Sequence, residues 1–380
     1  MKQEEVLPIE ETIGATAIAP PLPPRRSISV FRKRVRKFKT LKRGYYSFLI
    51  VAVSYAFSFI LPILINNEAL LLRYNGQYYF PISTFYPASE FGMDAIGEPN
   101  YRELKEQLAA RNSGDWVLMP MHPYSATESL LDLPGTPPHA PSNEHPLGTD
   151  DRGRDVLARL AYGFNVSLTF AIIVLLLAES VGVFVGALLG YFGGKLDMLG
   201  QRFIEIWSSL PFLYTIIIIS SIVVPIYIPG RNLVLQPSFW LLIVILAVFE
   251  WVGITYYVRG EFYREKARDY VGAAIAMGQS DTKIMFKHIL PNSLTPVISF
   301  APFTIVANIG ALVALDFLGF GLPAPTPSWG ELIGQGMENL TKWWLVFFPL
   351  AALFLTLLLI VFIGEAVREA FDPKEYSRLR

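Results

Sequence analysis

Six long apolar blocks, separated by polar stretches, dominate the pattern of the chain. They lie at about residues 45–65, 167–191, 203–228, 239–258, 295–315 and 343–364. At about 1.5 Å of rise per residue, each is long enough to cross the roughly 30 Å hydrocarbon core of a bilayer as a helix. Lipid offers the backbone no water to bond, so all six are predicted to be helical. None carries Lys or Arg in its central part. The first block also has to be weighed as a cleaved signal peptide. It is too long for an apolar signal core, and no small-x-small cleavage site follows it, so it reads as an uncleaved span. The pattern predicts an all-α integral membrane protein of six transmembrane helices: a first helix at 45–65 and a five-helix core over 166–364.

The polar stretches carry their own signals. Between the first two blocks, residues 66–165 hold 13 acids against 7 bases. They read as an extracytoplasmic insertion of small, mixed structure. Asn75-Gly76 sits between two alternating runs and predicts a hairpin with a type I′ turn. Asn100 with Glu103 resembles a capping box opening a helix through Leu104 and Leu108, with Gly114 as its stop. Residues 134–146 are proline-rich and expected to be extended.

Charge sets the orientation. Residues 1–44 form a tail with Glu4, Glu5, Glu10 and Glu11, then a proline cluster. It ends in ten bases from Arg25 to Arg43 with no acid among them. Such a tail buries no core and is expected to be largely disordered or surface-bound. A basic segment beside a first span keeps that end in the cytoplasm. Nucleic-acid binding is the rival reading of these bases, set aside because a span directly follows. The inner segments then include residues 259–294, with Arg259, Arg264, Lys266, Arg268, Lys283 and Lys287, and the tail 365–380, with Arg368, Lys374, Arg378 and Arg380. The short outer loops offer only Arg231 and Lys342.

Composition narrows the chemistry. Hydrophobic residues make up 52% of the 380, mean hydropathy is +0.40, and net charge is zero. There is no cysteine, which excludes disulfides and thiolate metal sites, and four scattered histidines make no dedicated metal site. A phosphate-cradling P-loop is absent, because Gly194-Lys195 lacks both the earlier glycine and the following hydroxyl. The chain is therefore not expected to hydrolyse ATP, and no catalytic set is found.

The segment 259–294 is long for a connector. The small residues Gly272, Ala273 and Ala274 open it, Gly278 breaks it, and Ser280 or Asp281 is placed to cap a second helix that Pro291 punctuates. It predicts a helix–turn–helix on the inner surface that lets a partner approach its backbone closely. Gly182, Gly186 and Gly190, spaced by four, predict a close-packing face on the second span. Glu179 and Glu250 sit near mid-bilayer, where a charge costs roughly 2.5–3.5 kcal/mol. They predict either neutral helix contacts or the lining of a translocation path.

Gly272-Ala273-Ala274-x-x-x-Gly278, followed after nine residues by His288-Ile289-Leu290-Pro291, resembles the EAA loop of ABC importer permeases. In that family the loop holds the coupling helix, which seats in the ATPase subunit. The resemblance makes Gly272, Ala273, Ala274, Met277, Gly278, His288, Leu290 and Pro291 the ATPase-coupling residues. Two positions depart from the family: Gly272 replaces its usual glutamate, and His288 stands where an aliphatic residue is common. Residues 145–155 (His-Pro-Leu-Gly-Thr-Asp-Asp-Arg-Gly-Arg-Asp), Gly190 to Asp197, and Asp316–Pro323 with Pro327–Gly330 are similar to the signatures of dipeptide, oligopeptide and nickel permeases. The segment Leu72–Pro81 and the ending Gly364–Pro373 are similar to the Yej-type permease branch, whose importer takes up peptides and microcin C.

The resemblance implies a type I ABC importer permease fold in a bacterial inner membrane, with both termini cytoplasmic. It implies four partners: a second related permease, one or more ABC ATPase subunits, a periplasmic peptide-binding protein, and membrane lipid. ATP and Mg would bind the ATPase, leaving this chain no cofactor. A permease for another solute such as nickel or a dipeptide, a secondary transporter, and a membrane enzyme are the alternatives.

Overall fold

The computed structural model describes residues 30–111, 114–222 and 238–372. The acidic and proline-rich part of the N-terminal tail, the end of the 203–228 block, Arg231, and Lys374, Arg378 and Arg380 lie outside the described residues.

The described part begins with α1 (Val30–Thr40), so the basic tail is helical from Val30 on, while Arg25 and Arg26 lie outside the described residues. It turns at Leu41 into α2 (Lys42–Ser58), which is 17 residues long and ends before the short α3 (Leu61–Leu64) with Pro62 in its first turn. The first apolar block is thus one helix with a broken end. Side chains tie it to the core: Asn165 Nδ2 donates to Ser58 Oγ at 2.7 Å, and Tyr162 Oη donates to the Ile65 carbonyl at 2.8 Å.

The insertion is a small α/β unit. Strands β1 (Leu71–Tyr74) and β2 (Gln77–Tyr79) form an antiparallel hairpin in which Tyr74 pairs with Gln77. Its two turn residues both have positive φ, 51° at Asn75 and 79° at Gly76, as a type I′ turn requires. Helix α4 (Tyr101–Arg111) follows. The Asn100 carboxamide accepts from Arg102 N and Glu103 N, whereas Glu103 bonds Gln107 rather than closing the predicted box. A third strand, β3 (Trp116–Leu118), which the sequence pattern did not disclose, adds to the other edge of β1, and the sheet order is β2-β1-β3. Leu72, Phe91, Tyr101, Leu104, Leu108 and Val117 form the unit's own core.

Helix α5 (Val156–Phe192) starts eleven residues before the predicted 167, because Asp155 caps it by accepting from Ala158 N at 2.8 Å. The 203–228 block is not one straight rod. Helices α6 (Gly194–Ser208) and α7 (Phe212–Ile222) meet at a 73° bend. Pro211 removes a backbone donor there, and the hydroxyls of Ser208 and Ser209 bond back to the carbonyls of Glu205 and Ile206. Helix α8 (Phe239–Lys266) runs eight residues past its predicted end.

The segment after α8 folds as α9 (Asp269–Ala276), α10 (Asp281–Lys283), a π-helical turn at Ile284–Ile289, and α11 (Leu290–Ser293). It leads into α12 (Thr295–Phe317), then α13 (Trp329–Glu338) and α14 (Trp344–Phe371). Among the described residues, α5, α8, α12 and α14 are long and apolar enough to cross a membrane, and the bent α6–α7 pair raises this to as many as five.

The most extensive packing is α5 against α8. The glycine face predicted on the second span makes it possible: Gly182 lies against Trp251, Gly186 against Thr255 and Val258, and Gly190 against Arg259 and Phe262. Residue numbers rise together along this seam, so α5 and α8 run parallel. The same register puts Glu179 and Glu250 at one level.

Candidate functional site

The helix–turn–helix is built by its glycine. Gly278, at φ +70°, closes α9 with two bonds: Gly278 N donates to the Ile275 carbonyl at 2.9 Å, and Gln279 N to the Ala274 carbonyl at 3.2 Å. This pair is a complete Schellman closure, which turns the chain sharply and satisfies carbonyls that a helix end leaves open. The predicted side-chain cap does not form. Ser280 occupies the cap position without a side-chain bond, and Asp281 Oδ1 instead accepts from Tyr191 Oη at 2.6 Å.

The turn is fixed to the ends of α5 and α8 by burial. Val271, Ala274, Ile284, Met285 and Ile289 pack with Ala187, Tyr191, Val258 and Phe262. Polar contacts add register. Lys266 Nζ donates to the Tyr191 carbonyl at 2.5 Å, and Tyr270 Oη to Glu265 at 2.9 Å. His288 Nε2 pairs with Gln279 Oε1 at 2.7 Å across the bend. The histidine that departs from the family pattern therefore has a hydrogen-bonding role in holding the two helices together.

The residues of the EAA-like pattern divide between seat and surface. Ala274 is buried, while His288 and Leu290 are partly buried. Gly272, Ala273, Gly278 and Pro291 are exposed, and Met277 is 70% exposed. Ile275 at 55% and Phe286 at 43% are, like Met277, exposed apolar side chains of this turn, which also carries the exposed Lys283 and Lys287. Sequence reasoning did not single out Ile275 or Phe286. The signal for Ile275 was an apolar side chain inside a small-residue run, and for Phe286 an aromatic next to Lys287.

Beside this seat, Arg259 grips Asp197 with two bonds of 2.5 and 2.6 Å, and Tyr263 Oη donates to the same carboxylate at 2.8 Å. The aspartate of the Gly190-to-Asp197 motif thus ties α6 to α8.

A second cluster forms at the other end of α5. The segments 145–155 and 316–330, far apart in sequence, meet there. Arg154 bonds Asp150 at 2.7 Å and Glu331 at 2.9 Å. Arg159, fully buried one turn inside α5, pairs with Glu331 and donates to the Ala126 carbonyl at 3.0 Å. Burial pushes the Glu331 carboxyl up, but the guanidiniums of Arg159 and Arg154 outweigh it and hold the group below the usual range. Asp155 accepts from His145 Nδ1 at 2.8 Å, and His122 Nε2 lies 3.0 Å away. Burial raises this carboxyl too, but both histidines and the Ala158 N–H bring it below its ordinary value. Ser328 caps α13 by accepting from Glu331 N and donates to Asp316 at 2.5 Å, while Trp329 Nε1 donates to the Leu160 carbonyl at 3.0 Å. The 145–155 segment thus forms a salt-bridged lead-in to α5. Its partner Glu331 was not foreseen.

The two intramembrane glutamates lie apart from both clusters. Glu179 on α5 is partly buried. Glu250 on α8 has a buried Oε2 without a hydrogen-bond partner among the described residues.

Residues 182–375 match the family described as the binding-protein-dependent transport system inner membrane component. The chain is 41% identical over 348 residues to the inner membrane ABC transporter permease protein YejE of Escherichia coli K12, covering 91% of this chain and 98% of that one. It is 36% identical to the peptidoglycan transport system permease protein YejE of Agrobacterium fabrum C58, covering 91% and 94%. It is 38% identical to the oligopeptide transport system permease protein OppC of Lactococcus lactis IL1403, covering 62% and 78%. With the signature segments joined in space and relatives matched over nearly their whole length, the chain belongs to the family of binding-protein-dependent transport system inner membrane components.

Proposed function

We propose that this protein is the permease subunit of an ATP-driven importer that carries oligopeptides or peptide-like compounds, of the microcin C type, across a bacterial inner membrane. The names of its relatives as ABC transporter, peptidoglycan and oligopeptide permeases support that substrate class. The observation that carries the reading is the exposure of Ile275, Met277 and Phe286 on a turn otherwise bolted to the bundle. A rigidly seated helix with exposed apolar anchors beside lysines is suited to an ATPase partner that binds ATP and Mg. A second, related permease would complete the pathway, and a periplasmic binding protein would deliver substrate to the opposite side.

Six crossings fit the packing. Helices α5 and α8 run parallel, so the chain between them, which includes the α6–α7 pair, must return across the membrane once. Helix α2 leads in from the α1 side. The pairing of Arg34 on α1 with Thr295 and Phe371 brings the start of α12 and the end of α14 to that same side. With the coupling turn cytoplasmic, both termini are cytoplasmic and the insertion is periplasmic.

The test is I275D/M277D in the assembled complex. Retention of the ATPase during purification is expected to fall at least tenfold, about 1.4 kcal/mol, with the membrane subunits still paired. Undiminished retention and uptake would remove the coupling assignment.

Glu179 and Glu250, at one level of parallel helices, are the proposed lining of the path. E179Q and E250Q are each expected to lower uptake of cationic peptides more than that of neutral ones. Equal uptake of both classes by normally assembled variants returns them to a packing role.

A further inference from the structure

We infer that helix α1 carries a binding surface for the headgroups of anionic phospholipids. The reading rests on the cytoplasmic placement of α1 given above.

Two faces of the helix are set apart by its contacts. One face is committed to the protein. Phe38 packs edge-on against Tyr45 and Phe48 with ring centroids 6.3 and 6.0 Å apart. Arg34 Nη1 donates to Thr295 Oγ1 at 3.3 Å and its guanidinium lies 4.9 Å over the Phe371 ring. Lys37 Nζ donates to the Glu369 carbonyl at 3.0 Å. The helix is therefore held at a defined angle on the ends of α2, α12 and α14.

The opposite face is a stripe of charge. Arg32, Arg36 and Lys39 follow at i, i+4 and i+7, the spacing that stacks side chains on one helical face. Lys33 stands beside them, and all four are exposed. None has a carboxylate partner among the described residues, and residues 30–43 contain no acid. Lys42 and Arg43, also exposed, open α2 directly after the turn. The stripe is thus at most ten residues from the start of α2, on the order of 15 Å along a helix.

Charge complementarity and this position select the ligand. Cytoplasmic leaflets rich in anionic lipid attract bases next to a span, and the attraction fades within a Debye length of about 8 Å. A helix clamped on one face cannot roll, so its bases stay at headgroup height. The same helix bridges the start of α12, just after the coupling turn, and the end of α14. Lipid bound there would brace the end of the bundle on which an ATPase acts.

The experiment places the full complex in nanodiscs of phosphatidylcholine with one third phosphatidylglycerol and measures lipid retained per complex by mass spectrometry after detergent exchange. R32Q/K33Q/R36Q/K39Q leaves Lys42, Arg43 and the inner loops to hold orientation. Wild type is expected to enrich phosphatidylglycerol over phosphatidylcholine at least threefold, and the variant to lose most of that enrichment. K105Q/R111Q in the insertion is expected to keep it. Should the quadruple variant assemble poorly, the enrichment around wild type is expected to fall as salt rises from about 0.05 to about 0.5 M, since such contacts are screened. Equal enrichment in wild type and variant, or salt-independent enrichment, overturns the inference. So does loss of ATPase retention in the variant with lipid enrichment intact, which would assign the stripe to a protein partner.

Discussion

Replacing Glu331 with glutamine is expected to cost the protein on the order of 3 kcal/mol, because it leaves two arginines facing a neutral amide. Arg159 is fully buried and Arg154 nearly so, and both direct a guanidinium at this one carboxylate. Removing one member of a buried ion pair typically costs about 3–5 kcal/mol, and the partial exposure of Glu331 argues for the lower end. The melting temperature of the purified protein in detergent reports the loss. An unchanged melt would mean that Asp150, 2.7 Å from Arg154 and 3.4 Å from Arg159, already suffices.

The same network gives a sign for pH. Glu331 and Asp155 are both held below their ordinary values, so each contributes stability above its unfolded pKa. That contribution is lost as pH falls through the lower folded value. Stability from these groups is therefore expected to be flat through neutral pH and to decline below about pH 4. E331Q and wild type should converge as that decline proceeds.

The second large effect is expected at the seam between α5 and α8. A Cβ on Gly186 would sit 2.7 Å from the Thr255 carbonyl oxygen and 3.0 Å from the Val258 Cβ. Backbone on the facing helix cannot move aside as a side chain can. G186L must therefore push the two helices apart along their length, forfeiting close packing that supplies much of the attraction between helices in lipid. Overpacking typically costs about 1–3 kcal/mol and more where backbone blocks relaxation. Little or no folded protein is expected by size-exclusion chromatography. Gly253 provides the contrast, since nothing lies within 4 Å of its added Cβ and G253A is expected to fold normally. Comparable yields for both variants would refute the close-approach account.

What the sequence disclosed was local in origin. The Asn75-Gly76 turn was legible because positive φ is a property of the two residues themselves. The glycine face at 182, 186 and 190 was legible because its period matches the helix. The break at Gly278 was legible for the same reason as the hairpin. Other features were set at a distance. The early start of α5 was hidden because Arg159 reads as a polar loop residue until Glu331, 172 positions later, is placed beside it. The third strand is only three residues long and owes its existence to β1. Pro211 lies inside the 203–228 block, which the pattern reads as a single span, and the 73° bend there emerged only with the structure. In the turn at Gly278, the residues of the EAA-like pattern share one segment, while the exposure of Ile275 and Phe286 emerged only once burial separated seat from surface.

Helix α5 is continuous for 37 residues, about 55 Å, well beyond the roughly 30 Å of a bilayer's oily interior. One tip is riveted to the arginine–glutamate knot and the other to the bend at Gly278. Such a beam has little freedom to flex in the middle, so a tilt imposed at one tip must reappear at the other, like a see-saw on a fulcrum. The α6–α7 pair, turned by 73° at Pro211, has no such straight path to carry a tilt.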